Sequence, residues 1–98
     1  MAKEFFLGDR VEVSKSYHWA QGQLATIAEP PTPVVDMVEG WQGPSRIVQA
    51  VRGPLTFYWV EFDEPQRDAD GDGPYFAAEI DSQYLELSEK GSGGGMTG

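Results

Sequence analysis

The stretch LTFYWVEFD, residues 55–63, constrains the fold more than any other part of the chain. Its aromatic and β-branched residues are typical of a strand. Gly53-Pro54 predicts a turn before it, and Pro65 is expected to end it, because proline cannot donate to a strand ladder. We therefore expect one strong strand here, bounded by turns.

This strand is apolar on both of its faces. Alternate side chains of a strand point to opposite sides. The two sets are Leu55, Phe57 and Trp59 on one face, and Tyr58, Val60 and Phe62 on the other. The Tyr58 face is expected to be core, because the opposite face continues into Glu61 and Asp63. That opposite face then needs a cover, either the loop around Trp41 or an outside partner.

Shorter strand patterns recur along the rest of the chain. The predicted strands are residues 10–14, 22–28, 46–52, 55–63 and 84–88, and residues 75–80 can also extend. Three prolines interrupt residues 29–45, which are expected to be irregular, and Asp81-Ser82-Gln83 predicts one helical turn. Five to six short strands with so little helix predict an all-β fold, a small barrel with one short helical turn near the C-terminus.

The composition limits the classes of protein and site. At 98 residues, the chain is expected to form one domain over residues 1–90, followed by a flexible Gly/Ser-rich tail at 91–98. Cysteine is absent, which excludes disulfides and thiol catalysis. No apolar run approaches the roughly 20 residues that span a membrane, and the start MAKEFFLGD lacks the apolar core of a secretory signal. A cytoplasmic protein without a membrane contact is expected.

Acidic residues are concentrated in the last third of the chain. Residues 1–60 carry six acids and five bases, a net charge of −1, whereas residues 61–98 carry ten acids and two bases, a net of −8. Such a field repels phosphate backbones and attracts cations or a basic partner. No nucleic-acid binding is therefore expected.

Two short segments resemble the opening and the closing of SH3-like barrels. In GDRVEV, residues 8–13, a Gly-Asp turn launches a strand, and in IDSQYLEL, residues 80–87, a single 3₁₀ turn feeds the last strand. The resemblance is closer to prokaryotic SH3-like barrels than to eukaryotic peptide-binding SH3 domains, and many of these prokaryotic barrels are accessory subunits or modules of larger complexes. No ALYDY-like stretch precedes Gly8, so recognition of proline-rich peptides is not implied. The resemblance implies a non-catalytic binding module with a protein partner of unknown identity.

Residues 68–79, DADGDGPYFAAE, have the spacing of an EF-hand calcium loop. Such a loop places oxygen ligands at positions 1, 3 and 5, a glycine at 6, a backbone carbonyl at 7 and a bidentate glutamate at 12. The matching residues are Asp68, Asp70, Asp72, the carbonyl of Pro74, and Glu79. Calcium is thus a possible cofactor, although the segments on both sides of the loop have strand patterns and not helical ones. The alternative is an acidic turn whose aspartates form local hydrogen bonds.

Ring side chains form the second candidate site. Tyr17, His18 and Trp19 lie in one predicted loop and Trp41 in another, while Phe57 and Trp59 share the outer face of the strongest strand. Exposed aromatic residues supply much of the binding energy at protein interfaces, so these six are the candidate partner-binding residues. The alternative is that they pack as core or loop cover. Catalysis is disfavoured, because no residue is spaced to orient His18 as a base.

Overall fold

The computed structural model describes residues 4–88, and the regular elements of this part of the chain are mostly strands. The strands are β1 (Arg10–Val13), β2 (Leu24–Ile27), β3 (Ser45–Ala50), β4 (Gly53–Gln66), β5 (Tyr75–Asp81) and β6 (Leu85–Leu87). One short helix, α1 (Thr32–Met37), and one 3₁₀ turn (Ser82–Tyr84) complete the described elements. The all-β prediction with a short helical turn near the C-terminus is confirmed. The predicted tail at 91–98 lies outside the described residues.

The long strand β4 organises a six-stranded antiparallel sheet that curls into a half-barrel. Tyr58 is paired with β3 on one side and with β5 on the other. Val60 is paired with β2 on one side and again with β5 on the other. Because a strand has two edges, β3 and β2 share one edge of β4 and β5 occupies the opposite edge.

Strand β1, near the start of the described chain, lies next to β6, near its end. It pairs with β2 on one edge and with β6 on the other, where Val11 lies opposite Leu87. The Ser88 amide extends this pairing by donating to the Arg10 carbonyl at 2.9 Å. The first and last strands are therefore neighbours in the sheet.

The core lies inside the curl, on the predicted face of β4. Tyr58, Val60 and Phe62 are all buried, which confirms that face as the core side. The Tyr58 hydroxyl accepts a hydrogen bond from the Phe5 amide at 3.0 Å, and the two rings meet edge to face. The remaining buried apolar residues are Val11, Val13, Ala20, Ala25, Ile27, Ile80 and Leu85.

Three local predictions need correction. Residues 29–45 are not wholly irregular, because helix α1 forms there; its prolines are tolerated since the first helical turn needs no amide donors. Pro65 does not end β4, which continues to Gln66, because the β4–β5 pairing is irregular between Glu61 and Gln66 and does not need a proline amide. The turn before β4 lies at residues 51–52, so Gly53-Pro54 belongs to the strand.

Among the described residues, no helix is long and apolar enough to cross a membrane.

Arg10 and Asp63 join β1 to the end of β4 through a two-point ion pair. Arg10 Nη1 lies 2.7 Å from Asp63 Oδ1, and Arg10 Nη2 contacts Asp63 Oδ2. The hydrogen bond from Arg10 holds the pKa of Asp63 below its usual range. Because the folded pKa is depressed, the pair stabilises the fold above the unfolded carboxyl pKa of about 3.9, and this contribution is lost as the pH falls through the folded value.

We expect Asp63→Asn to lower the free energy of unfolding by about 0.5–1 kcal/mol near neutral pH. The loss is small because the Asp63 side chain is 40% exposed and water screens the pair. Urea unfolding of both proteins near pH 7 and near pH 2 measures it, and the difference should vanish in acid. An equal difference at both pH values would show that the carboxylate charge contributes nothing.

Candidate functional site

The six predicted ring residues lie in two separate places. Three of them meet at an aromatic cluster on the outer face of the sheet, which we call the Arg46 cluster: Trp41, Phe57 and Trp59 together with Arg46 and Glu79. The strand pairings explain it, because Arg46 on β3 lies opposite Phe57, and Trp59 lies opposite Glu79 on β5. Directly paired residues of a sheet project on the same side.

Arg46 is the centre of this cluster. Its guanidinium carbon lies 5.7 Å from the Trp41 ring centroid and 5.9 Å from that of Phe57. Arg46 Nη2 also lies 2.6 Å from Glu79 Oε2, with both side chains largely buried. Trp41 and Trp59 meet edge to face with centroids 6.1 Å apart. The loop around Trp41 thus covers part of the outer face of β4, one of the two covers predicted for it.

The other three predicted rings belong to the loop between β1 and β2. Trp19 packs edge to face against the buried Phe62 at 5.5 Å and against Tyr75 at 5.8 Å. Tyr17 is half-buried between Tyr84, at 4.9 Å, and the exposed His18, at 4.3 Å. Burial raises the pKa of the Tyr17 hydroxyl. This loop is therefore anchored to the core by two of its three rings.

The side chain of Trp19 forms one wall of a surface groove, which we call the Trp19 groove. The chain turns sharply after Trp19, at Ala20, whose φ of 56° lies in the left-handed region that L-residues seldom adopt. The groove has a volume of about 420 Å³. Its lining residues include Trp19, Tyr75, Ala77, Ala78, Asp68 and Asp70.

The acidic loop between β4 and β5 brings three of the five predicted calcium ligands together. Ligand oxygens of Asp68, Asp70 and Asp72 all lie within 4.8 Å of one another. Asp68 Oδ1 accepts hydrogen bonds from the amides of Asp70 and Asp72, both at 2.9 Å. The Arg67 guanidinium also donates to the carbonyl oxygen of Gly71 at 3.1 Å. Local hydrogen bonds therefore hold this loop, as the alternative interpretation of the sequence predicted.

The fifth predicted ligand, Glu79 at position 12 of the EF-hand pattern, lies elsewhere. Glu79 is on β5, where its carboxylate is paired with Arg46, and it is not part of the group formed by the three aspartates. Pro74 directly precedes β5, and the loop connects two strands where an EF-hand connects two helices. In this structure Glu79 therefore lies apart from the three clustered aspartates of the pattern.

The carboxylates of the acidic loop affect the ionisation of Tyr75, one of the rings that line the Trp19 groove. The pKa of Tyr75 is raised, first by desolvation of its hydroxyl and then by the negative charges of Asp68 and Asp72. The negative field of the loop thus reaches the Trp19 groove.

Sequence reasoning missed Arg46 and Tyr75 as members of the two sites. Arg46 could have been found from the two-residue turn at 51–52. This turn pairs Ala50 with Gly53, and the same antiparallel register four residues further along each strand pairs Arg46 with Phe57. Tyr75 carries no such signal, since its contact with Trp19 joins segments that are distant along the chain.

Comparisons of the chain with protein-family models, with curated proteins and with solved structures found no match.

Proposed function

We propose that this chain is a non-catalytic binding module that holds a protein partner on its aromatic surface. One observation supports the proposal above all. The buried core contains none of the three tryptophans; each of them is left partly exposed at the surface. Tryptophan, tyrosine and arginine are the residues that most often dominate binding energy at interfaces. The SH3-like resemblance, the cytoplasmic location and the absence of nucleic-acid binding stay predictions.

The Arg46 cluster is the part of this surface best suited to a protein partner. It combines two half-buried tryptophans with an arginine already fixed by Glu79, so little side-chain entropy is lost on binding. Rigid tryptophan and arginine side chains of this kind are the residues that most often anchor a protein interface.

We expect Trp41→Ala to reduce retention of the partner at least tenfold, the effect of losing a binding hot spot. The fold should lose only about 1 kcal/mol, because Trp41 is half-buried and its buried Nε1–H has no hydrogen-bond partner in the wild-type protein. The retention is measured by incubating the immobilised protein with an extract of the native host and quantifying the partner chain that stays bound. Thermal melting measures the loss of stability.

Leu87→Ala is the matched control for this experiment. Leu87 is an exposed apolar residue on β6, at the opposite end of the strand order from β3. This variant should retain the partner fully. Equal retention by wild type and Trp41→Ala would contradict the proposal, as would a collapse of the Trp41→Ala fold.

Calcium binding at the acidic loop is the second candidate, favoured by the three clustered aspartates. Without the bidentate glutamate, we expect a dissociation constant on the order of 10⁻³ M, as in weak extracellular modules. A calcium titration followed by the amide signals of residues 68–72 measures it. Glu79→Gln should leave the affinity unchanged, because Glu79 is paired with Arg46. A large loss of affinity in Glu79→Gln would instead restore the EF-hand ligand set, and unmoved amides would end the calcium hypothesis.

A further inference from the structure

We propose that the Trp19 groove binds the side chain of a lysine or an arginine of the partner protein. This inference rests on the proposed binding function and names the chemistry that one part of the surface recognises. Three features of the groove carry it: its aromatic walls, its acidic rim and its small apolar lining residues.

The aromatic walls suit a cation. The rings of Trp19 and Tyr75 meet at 75° with their centroids 5.8 Å apart, so they form a corner and not a stack. An ammonium or guanidinium group within about 6 Å of a ring centroid is attracted by the negative face of the ring, and tryptophan attracts it most strongly. Arg46 already makes such contacts with Trp41 and Phe57, so the Arg46 cluster is occupied by a cation of the chain itself. Arg67 is not among the residues that line the Trp19 groove.

The acidic rim adds charge complementarity. Asp68 and Asp70 both line the groove, and Asp70 is exposed. Asp68 is held in place by its two backbone hydrogen bonds, so its charge is fixed at the rim at little entropic cost. Residues 61–98, which supply most of the lining, carry a net charge of −8 and attract a basic partner.

The apolar part of the lining suits a long alkyl stem. Ala77 and Ala78 are small, apolar lining residues of a groove of about 420 Å³, within the range of roughly 300–1,000 Å³ typical of ligand pockets. Lysine and arginine place their methylene stems on apolar surface while the charged head stays at a polar rim. A purely apolar side chain would contact the alanines but would gain nothing from the negative charge at the rim.

The test is a titration with three blocked tripeptides at constant ionic strength. Acetyl-Gly-Lys-Gly-amide and acetyl-Gly-Arg-Gly-amide carry the cation, and acetyl-Gly-norleucine-Gly-amide keeps the alkyl stem without it. We expect saturable shifts of the Trp19 indole and of the Ala77 and Ala78 amides with at least one cationic peptide, with a dissociation constant on the order of 10 mM. The norleucine peptide should bind at least about threefold more weakly.

Two variants locate the binding. Asp70→Asn should weaken binding of the cationic peptide about threefold, whereas Asp36→Asn, which removes the same charge from the exposed surface of α1, should not. Tyr75→Leu keeps an apolar wall but removes the ring, and it should weaken binding of the cationic peptide more than that of norleucine. Circular dichroism confirms that each variant is folded.

Several outcomes would overturn the proposal. Unmoved Trp19, Ala77 and Ala78 signals with both cationic peptides would do so, as would equal binding of the norleucine peptide. Shifts of these signals with calcium alone would assign the rim to a metal. Retention of the partner through Trp41 is measured separately, so failure of the groove does not count as failure of the binding module.

Discussion

Replacing Trp19 by alanine is expected to lower the free energy of unfolding by about 3 kcal/mol. The Trp19 ring packs edge to face on the buried Phe62 and on Tyr75, so its loss removes two ring contacts and leaves a cavity beside the core. A domain of this size is stabilised by only about 5–10 kcal/mol. The substitution therefore removes a large fraction of its stability.

Urea unfolding followed by far-ultraviolet circular dichroism measures this loss. Trp19→Phe is the control, because it keeps a ring on Phe62 and should cost only about 1 kcal/mol. If Trp19→Ala unfolds within about 0.5 kcal/mol of wild type, the ring is a free surface group and its contacts with Phe62 contribute nothing.

Replacing Arg46 by alanine is expected to cost about 2 kcal/mol. The change removes the cation over Trp41 and Phe57, and it leaves the carboxylate of Glu79, only 23% exposed, without its partner. Residual exposure of both side chains keeps the cost below that of breaking a fully buried pair. Removal of the Arg46 Nε–H, which is buried without a hydrogen-bond partner, offsets part of it.

A double-mutant cycle separates these contributions. Arg46→Met keeps the alkyl stem on the rings and removes the charge, and Glu79→Gln removes the opposite charge. The double variant should be more stable than the sum of the two single losses by about 1 kcal/mol, because neither charge is then left alone. Additivity within about 0.3 kcal/mol would mean that the two groups do not interact.

Local patterns in the sequence identified the strands because side-chain alternation and turn residues act over short distances. The core face of β4 followed from the acids that end its other face, and Tyr58, Val60 and Phe62 are indeed buried. Helix α1 was missed because the prolines that interrupt a strand are also accepted in a first helical turn.

The candidate sites were less predictable, because they depend on which strands become neighbours. The rings were recognised one by one, but their division into two places follows from the pairing of β4 with β3 on one edge and β5 on the other. The same pairing takes Glu79 away from the aspartates and gives it to Arg46. The spacing of ligand residues along the chain therefore predicts a complete EF-hand loop only when helices lie on both sides of that loop.

The pairing of β1 with β6 has a consequence for the synthesis of this protein. Translation delivers β1 to the ribosome exit first and β6 last, so one edge of β1 has no strand to pair with until almost the whole domain has emerged. Contacts between the most distant parts of a chain also carry the largest loop-closure entropy. A nascent chain can assemble the β3–β4 hairpin early, but the pairing that completes its half-barrel forms only after residue 87 leaves the tunnel.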